Sequence, residues 1–83
     1  MTLTVYSKAG CPSCDMTKKY LQEKNINYTE VRIDTDATAR QFLLTEGHRS
    51  VPQIYQDGKL FVQGGFDGLR ALTEEQLTEK LGI

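Results

Sequence analysis

The sequence predicts a small α/β fold: a four-stranded mixed sheet with three helices, in the order β-α-β-α-β-β-α. Three observations carry this. A short apolar stretch, Thr2 to Ser7, leads into Cys11-Pro12-Ser13-Cys14, which opens a segment of helical periodicity. A second strand-like stretch, Tyr28 to Ile33, precedes a second helical segment. Asp57-Gly58 then stands between two short apolar runs, a strong hairpin signal.

Each element has its own justification. Leu3, Thr4, Val5 and Tyr6 suit a strand. The first helix runs from Pro12 to about Lys24, with Met16, Tyr20 and Leu21 on one side at helical spacing and Asn25 and Asn27 interrupting it. In the second strand Val31 and Ile33 alternate. Asp34 or Asp36 can cap a second helix running to Glu46, with Gly47 as its C-terminal stop. Gln53-Ile54-Tyr55 and Leu60-Phe61-Val62 form the hairpin arms. Beyond Gly64-Gly65 the chain is helical again: Asp67 is a candidate cap, Leu69 and Leu72 supply apolar contacts, and Thr73-Glu74-Glu75-Gln76 reads as a capping box before Leu77 and Leu81. Strands joined by a helix pair in parallel and a hairpin adds antiparallel ones, so the sheet is mixed with helices on both faces.

Length and composition bound the function. A chain of 83 residues holds one small core, so residues 1–83 read as one domain without repeats or linkers. Its 39% hydrophobic and 25% charged residues are ordinary for a soluble globule. A net charge of −1 gives no electrostatic reason to expect nucleic acid or an anionic membrane as partner. No apolar run approaches the roughly 20 residues of a membrane span, and no basic segment leads into an apolar one at the N-terminus. The expectation is a cytoplasmic protein, where Cys-x-x-Cys points to catalysis and not to a disulfide scaffold.

The two cysteines carry the chemistry. A disulfide across so short a loop constrains the unfolded chain little, which argues against a structural staple. A tetrahedral zinc site needs four ligands, and the chain offers two cysteines and one histidine, His48. Two cysteines buried by coincidence are the bland alternative. The reactive reading rests on position: Cys11 falls at a helix N-terminus, where unpaired N–H groups and the helix dipole favour a thiolate, and Pro12 suits the first helical turn. Cys14 lies one turn further in, close enough to attack a mixed disulfide on Cys11 and more shielded.

Four motifs together resemble the glutaredoxins, a thioredoxin-fold family that reduces disulfides with electrons from glutathione. They are Lys8 ahead of Cys11, the Cys11-Pro12-Ser13-Cys14 centre, Ser50-Val51-Pro52, and Gly64-Gly65-Phe66-Asp67; the resemblance spans essentially the whole chain. It implies a thioredoxin-like fold, Cys11 and Cys14 as catalytic residues, and glutathione contacts from Lys8, Ser13, Val51, Pro52, Gly65, Phe66 and Asp67. By the same resemblance Pro52 follows a cis peptide bond, and the Val51 backbone is offered to an extended thiol peptide. Beside these readings stand plainer ones: Lys8 as an exposed lysine, Pro52 as a trans proline starting a strand, Gly64-Gly65 as a turn, Asp67 as a cap, His48-Arg49 as a solvated basic pair.

The sequence also departs from the family pattern. Ser13 replaces a common tyrosine, Gly68 stands where many glutaredoxins have a second aspartate, and the Ile54 to Gly64 segment reads as a slightly longer hairpin. What the resemblance implies is a monomeric, glutathione-dependent oxidoreductase with glutathione as reductant, no metal, and disulfide-containing protein substrates, among which ribonucleotide reductase is one by analogy. The competing readings are a redoxin reduced by thioredoxin reductase, an iron–sulfur carrier that Pro12 disfavours, and a redox sensor without turnover.

Overall fold

The computed structural model describes residues 2–82, so the two end residues of the expected 1–83 unit lie outside the described residues. The elements are β1 (Leu3–Ser7), α1 (Pro12–Glu23), β2 (Tyr28–Arg32), α2 (Ala37–Thr45), β3 (Gln53–Gln56), β4 (Lys59–Val62), α3 (Gly65–Arg70) and α4 (Glu74–Leu81). The expected sheet is present, in the order β2-β1-β3-β4: β2 runs parallel to β1, and β3 and β4 are antiparallel to their neighbours. This is the thioredoxin-like α/β fold.

The alternation of β1 divides the core. Leu3 and Val5 join Leu21 of α1, Ile54 of β3, Phe61 and Val62 of β4, Leu69 of α3, and Leu77 and Leu81 of α4 in one cluster. Tyr6 and Tyr55 point the other way and meet Phe42 of α2, with ring centroids 5.3–5.7 Å apart. Helices therefore cover both faces. Offset and edge-on aromatic contacts of this kind hold α2 where its C-terminal end delivers the chain to Val51 and Pro52.

The helix ends follow local chemistry. Asp36, not Asp34, caps α2, its carboxylate accepting from Ala39 N–H at 3.0 Å. At the far end His48 N–H reaches Leu43 C=O at 2.9 Å and Gly47 N–H reaches Leu44 C=O at 3.0 Å, a paired C-terminal stop. The same pairing ends α1, where Ile26 N–H meets Leu21 C=O and Asn25 takes the left-handed conformation that asparagine tolerates (φ 57°). The single helix expected after Gly65 is two. The Thr73–Gln76 capping box starts a fresh helix, with Gln76 N–H donating to Thr73 Oγ1 at 3.1 Å and Thr73 N–H donating to Gln76 Oε1 at 3.0 Å.

One expectation about α1 is corrected. The buried stripe of α1 is Cys14, Thr17 and Leu21, while Met16 is half exposed. Thr17 tolerates full burial because its hydroxyl donates to Ser13 C=O at 2.8 Å, leaving no polar atom unpaired. The hairpin closes through the expected Asp57-Gly58 turn, both residues at positive φ. A bulge lies in the hairpin, with Ile54 opposite Val62 but Tyr55 opposite Leu60, which leaves Phe61 as the extra residue.

A polar network ties β1, β2 and α1 together beneath the cysteine loop. Fully buried Ser7 donates to Glu30 Oε2 at 2.6 Å, and Lys18 reaches the same oxygen at 2.9 Å. The Ser7 hydrogen bond first, then Lys18, hold the Glu30 carboxyl below the usual range. A depressed folded-state pKa gives stability that is present above the unfolded carboxyl's range, about 4.3, and is lost as pH falls toward the folded value. Urea unfolding between about pH 5 and pH 3 is therefore expected to show a shallower loss of stability in Glu30→Gln than in the parent chain.

Candidate active site

The cysteine pair sits where β1 hands the chain to α1. Cys11 is the N-cap, in extended conformation, Pro12 takes the first helical position, and Cys14 N–H donates to Cys11 Sγ at 3.2 Å. Cys11 and Cys14 form a disulfide. Cys11 is 8% exposed and Cys14 1%, so the first cysteine is the more accessible of the two. In the reduced state the N–H that meets Sγ, with the positive end of α1, favours a thiolate at Cys11. The preceding loop is tethered: Ala9 N–H donates to Asp34 Oδ2 at 3.2 Å, and Arg32 binds both Asp34 oxygens at 2.8 and 2.6 Å. Arg32 first, and the Ala9 amide, hold the Asp34 carboxyl well below the carboxylate range. This explains why Asp34 does not cap α2.

Across from the disulfide lies the segment between α2 and β3. The Val51–Pro52 peptide bond is cis, and Val51 C=O is 3.9 Å from Cys11 Sγ. The segment is pinned by Gln53, whose amide donates to Ser50 C=O at 2.9 Å. Beside it opens a groove of about 480 Å³ that brings together six sequence-predicted residues: Ser13, Val51, Pro52, Gly65, Phe66 and Asp67. Gly65 has φ 58°, and a Cβ there would stand 2.8 Å from Pro52 C=O, so only glycine allows α3 to start this close to the cis-proline segment. Asp67 does not cap α3; Gly64 occupies the cap position without a side-chain bond. Asp67 sits in the first turn, exposed, with Arg70 at 3.1 Å.

Lys8 is not in that groove. It lines a second one, of about 920 Å³, with Arg40, Arg49, Ile33 and Leu44, and the two grooves share His48, Ser50 and Val51. Val51 is thus the divide: an extended molecule lying across it has a carboxylate, Asp67, on one side and, on the other, three cations, Lys8, Arg40 and Arg49, with the Arg32-paired carboxylate of Asp34 among them. Sequence reasoning missed Gln53, Leu60 and Gln63 in the first groove and Arg40 in the second. For Gln53 a signal existed, a polar residue directly after the proline motif on a strand otherwise buried; Arg40 on an exposed helix face had none.

Fold and site together define a thioredoxin-fold dithiol protein whose paired sulfurs open a helix beside a cis-proline segment. Within that class, the glutaredoxin family profile matches residues 3–61, and the chain belongs to the glutaredoxin family. It is 36% identical over 83 residues to glutaredoxin 1 of Rickettsia conorii, a match covering 96% of this chain and 79% of that one. Against the hybrid peroxiredoxin hyPrx5 of Haemophilus influenzae identity is 32% over 68 residues, covering 82% of this chain but only 27% of that protein. Among solved structures, a buckwheat glutaredoxin–glutathione complex is similar with a TM-score of 0.70 and 29% identity, over 95% of this chain and 71% of that one. Membership of this family makes the protein a thiol–disulfide oxidoreductase.

Proposed function

We propose that the protein reduces protein disulfides and glutathione mixed disulfides with electrons from glutathione. The observation that carries this reading is the gathering of Ser13, Val51, Pro52, Gly65, Phe66 and Asp67 in one groove against the cis-proline segment that faces Cys11 Sγ. Likeness to a glutaredoxin that binds glutathione supports it. Glutathione is a peptide thiol with two carboxylates and an α-amino group. In this reading Asp67 accepts from the amine, the Val51 backbone pairs with the peptide, and Lys8 meets a carboxylate.

The chemistry then follows from the geometry. Cys11 thiolate attacks one sulfur of the substrate disulfide; that S–S bond breaks, and the departing thiolate takes a proton from solvent. Cys14, deprotonated, attacks Cys11 Sγ, releasing the second substrate sulfur as thiolate and forming the Cys11–Cys14 disulfide. Two electrons have passed to the substrate. One glutathione thiolate attacks Cys11 Sγ and frees Cys14; a second attacks the glutathionyl sulfur, leaving as glutathione disulfide and restoring the Cys11 thiolate. Protein substrates in this reading are cytoplasmic disulfide proteins, with ribonucleotide reductase one by family analogy. The hybrid peroxiredoxin relative supports a peroxiredoxin as another.

The test is reduction of a glutathione mixed disulfide with NADPH, supplied either through glutathione and glutathione reductase or through thioredoxin reductase. Turnover with glutathione is the expected result. Turnover only with thioredoxin reductase overturns the donor assignment and leaves the contacts of Lys8 and Asp67 without a purpose.

A further inference from the structure

His48 is the only residue besides Ser50 and Val51 that lines both grooves, and it is held in place by a chain of hydrogen bonds that the reaction described above does not use. Its Nε2 lies 2.7 Å from Tyr55 Oη, and Tyr55 Oη lies 3.1 Å from Glu46 Oε1. A carboxylate only accepts, and a tyrosine has one proton to give. Tyr55 therefore donates to Glu46, and His48 Nε2–H donates to the Tyr55 oxygen. Tyr55 is rigid: 2% exposed, wedged edge-on against Tyr6 and Phe42, with the His48 ring perpendicular to it at 5.8 Å between centroids. Burial, and then the bond to Glu46, push the Tyr55 hydroxyl up to about 12, so it remains a neutral donor throughout the working pH range.

This chain of bonds fixes both the ring orientation and the tautomer of His48. With Nε2 committed to Tyr55, neutral His48 presents Nδ1 as a lone-pair acceptor, and Nδ1 has no protein partner among the described residues. We infer that His48 is a substrate-contacting residue whose Nδ1 accepts a hydrogen bond from a backbone N–H of the peptide-like thiol substrate lying across Val51, with Tyr55 and Glu46 as the residues that position it. The inference rests on the reading that a peptide-like thiol occupies these grooves. It adds a contact at the point where the cationic groove meets the one holding Asp67, and so makes the site selective for substrates with an amide N–H at that place over small disulfides without one.

Two variants separate contact from scaffolding. His48→Gln keeps an amide that reaches Tyr55 but gives up the acceptor near the backbone; His48→Asn keeps an acceptor near the Nδ1 position and gives up the bond to Tyr55. Kinetics with a glutathionylated peptide are expected to show KM raised about 3- to 10-fold in His48→Gln with kcat unchanged, and largely restored in His48→Asn. With a small disulfide lacking peptide groups as substrate and a non-peptide dithiol as reductant, the KM difference between His48→Gln and the parent is expected to be smaller than with the glutathionylated peptide. The reverse order, with His48→Gln behaving as the parent and His48→Asn impaired, identifies a purely structural link to Tyr55 and overturns the inference, as does equal KM in all three. Failure of the parent chain to turn over any glutathionylated peptide is a different outcome: it overturns the functional reading itself.

Discussion

Cys11→Ser is expected to lower turnover of every disulfide substrate by on the order of 10³-fold or more, while Cys14→Ser keeps most of its activity on glutathione mixed disulfides and loses it on protein disulfides. The asymmetry comes from the positions of the two sulfurs. Cys11 keeps some accessible surface at 8%, and its Sγ receives the Cys14 N–H at 3.2 Å and lies 3.9 Å from Val51 C=O; Cys14 is only 1% exposed. An incoming disulfide therefore meets Cys11 first, and a serine there removes the nucleophile outright. A glutathione mixed disulfide needs only one attack, because a second glutathione can release the adduct. A protein disulfide that stays bound requires an internal thiol to resolve it, and Cys14 is the only other cysteine in the chain. Steady-state assays of both variants on both substrate types check this; equal losses in the two variants contradict the asymmetry.

Gly68→Asp is expected to destabilise the protein by about 3 kcal/mol, which for a domain of this size lowers Tm by roughly 12–24 °C. The substitution places an aspartate where many glutaredoxins have one, and on sequence alone it reads as restoring a glutathione contact. The backbone here forbids it. A Cβ on Gly68 would overlap Gln63 C=O and press on Val62 Cγ2, while Gly68 N–H is already tied to Gly64 C=O at 3.3 Å. Because Gln63 O is backbone and not the end of a flexible side chain, relief requires moving the β4–α3 connection, and with it Gly64, Gly65 and the groove against Pro52. Thermal unfolding followed by circular dichroism measures the loss. A Gly68→Asp protein as stable as the parent with improved KM for glutathione would show that the connection yields and that the missing aspartate is only a lost contact.

Much of this was legible in the sequence because the informative residues act locally. Pro12 and the cysteines mark the start of α1, Asp57-Gly58 the hairpin, and Thr73 with Gln76 the last helix, each through bonds within four residues. What the sequence did not disclose depends on contacts across the fold. Asp34 and Asp36 are equivalent as caps on paper; only the approach of Ala9 and Arg32 removes Asp34 from the choice. Thr17 is buried in the place expected of Met16, its hydroxyl satisfied by Ser13 C=O. The division of Lys8 and Asp67 between two grooves follows from where Val51 falls against β1 and α3, and the Glu46–Tyr55–His48 chain from the register of β3 beside the end of α2. Neither is a property of a short motif.

On this mechanism Cys11 alone exchanges with glutathione, and Cys14 acts only behind it. Incubating Cys14→Ser and Cys11→Ser separately with glutathione disulfide, and weighing the intact proteins under non-reducing conditions, tests it most directly. The predicted result is one glutathionyl group on Cys14→Ser, removed by a small dithiol, and none on the folded Cys11→Ser protein. Adducts on both variants to the same extent, or on neither, would contradict it.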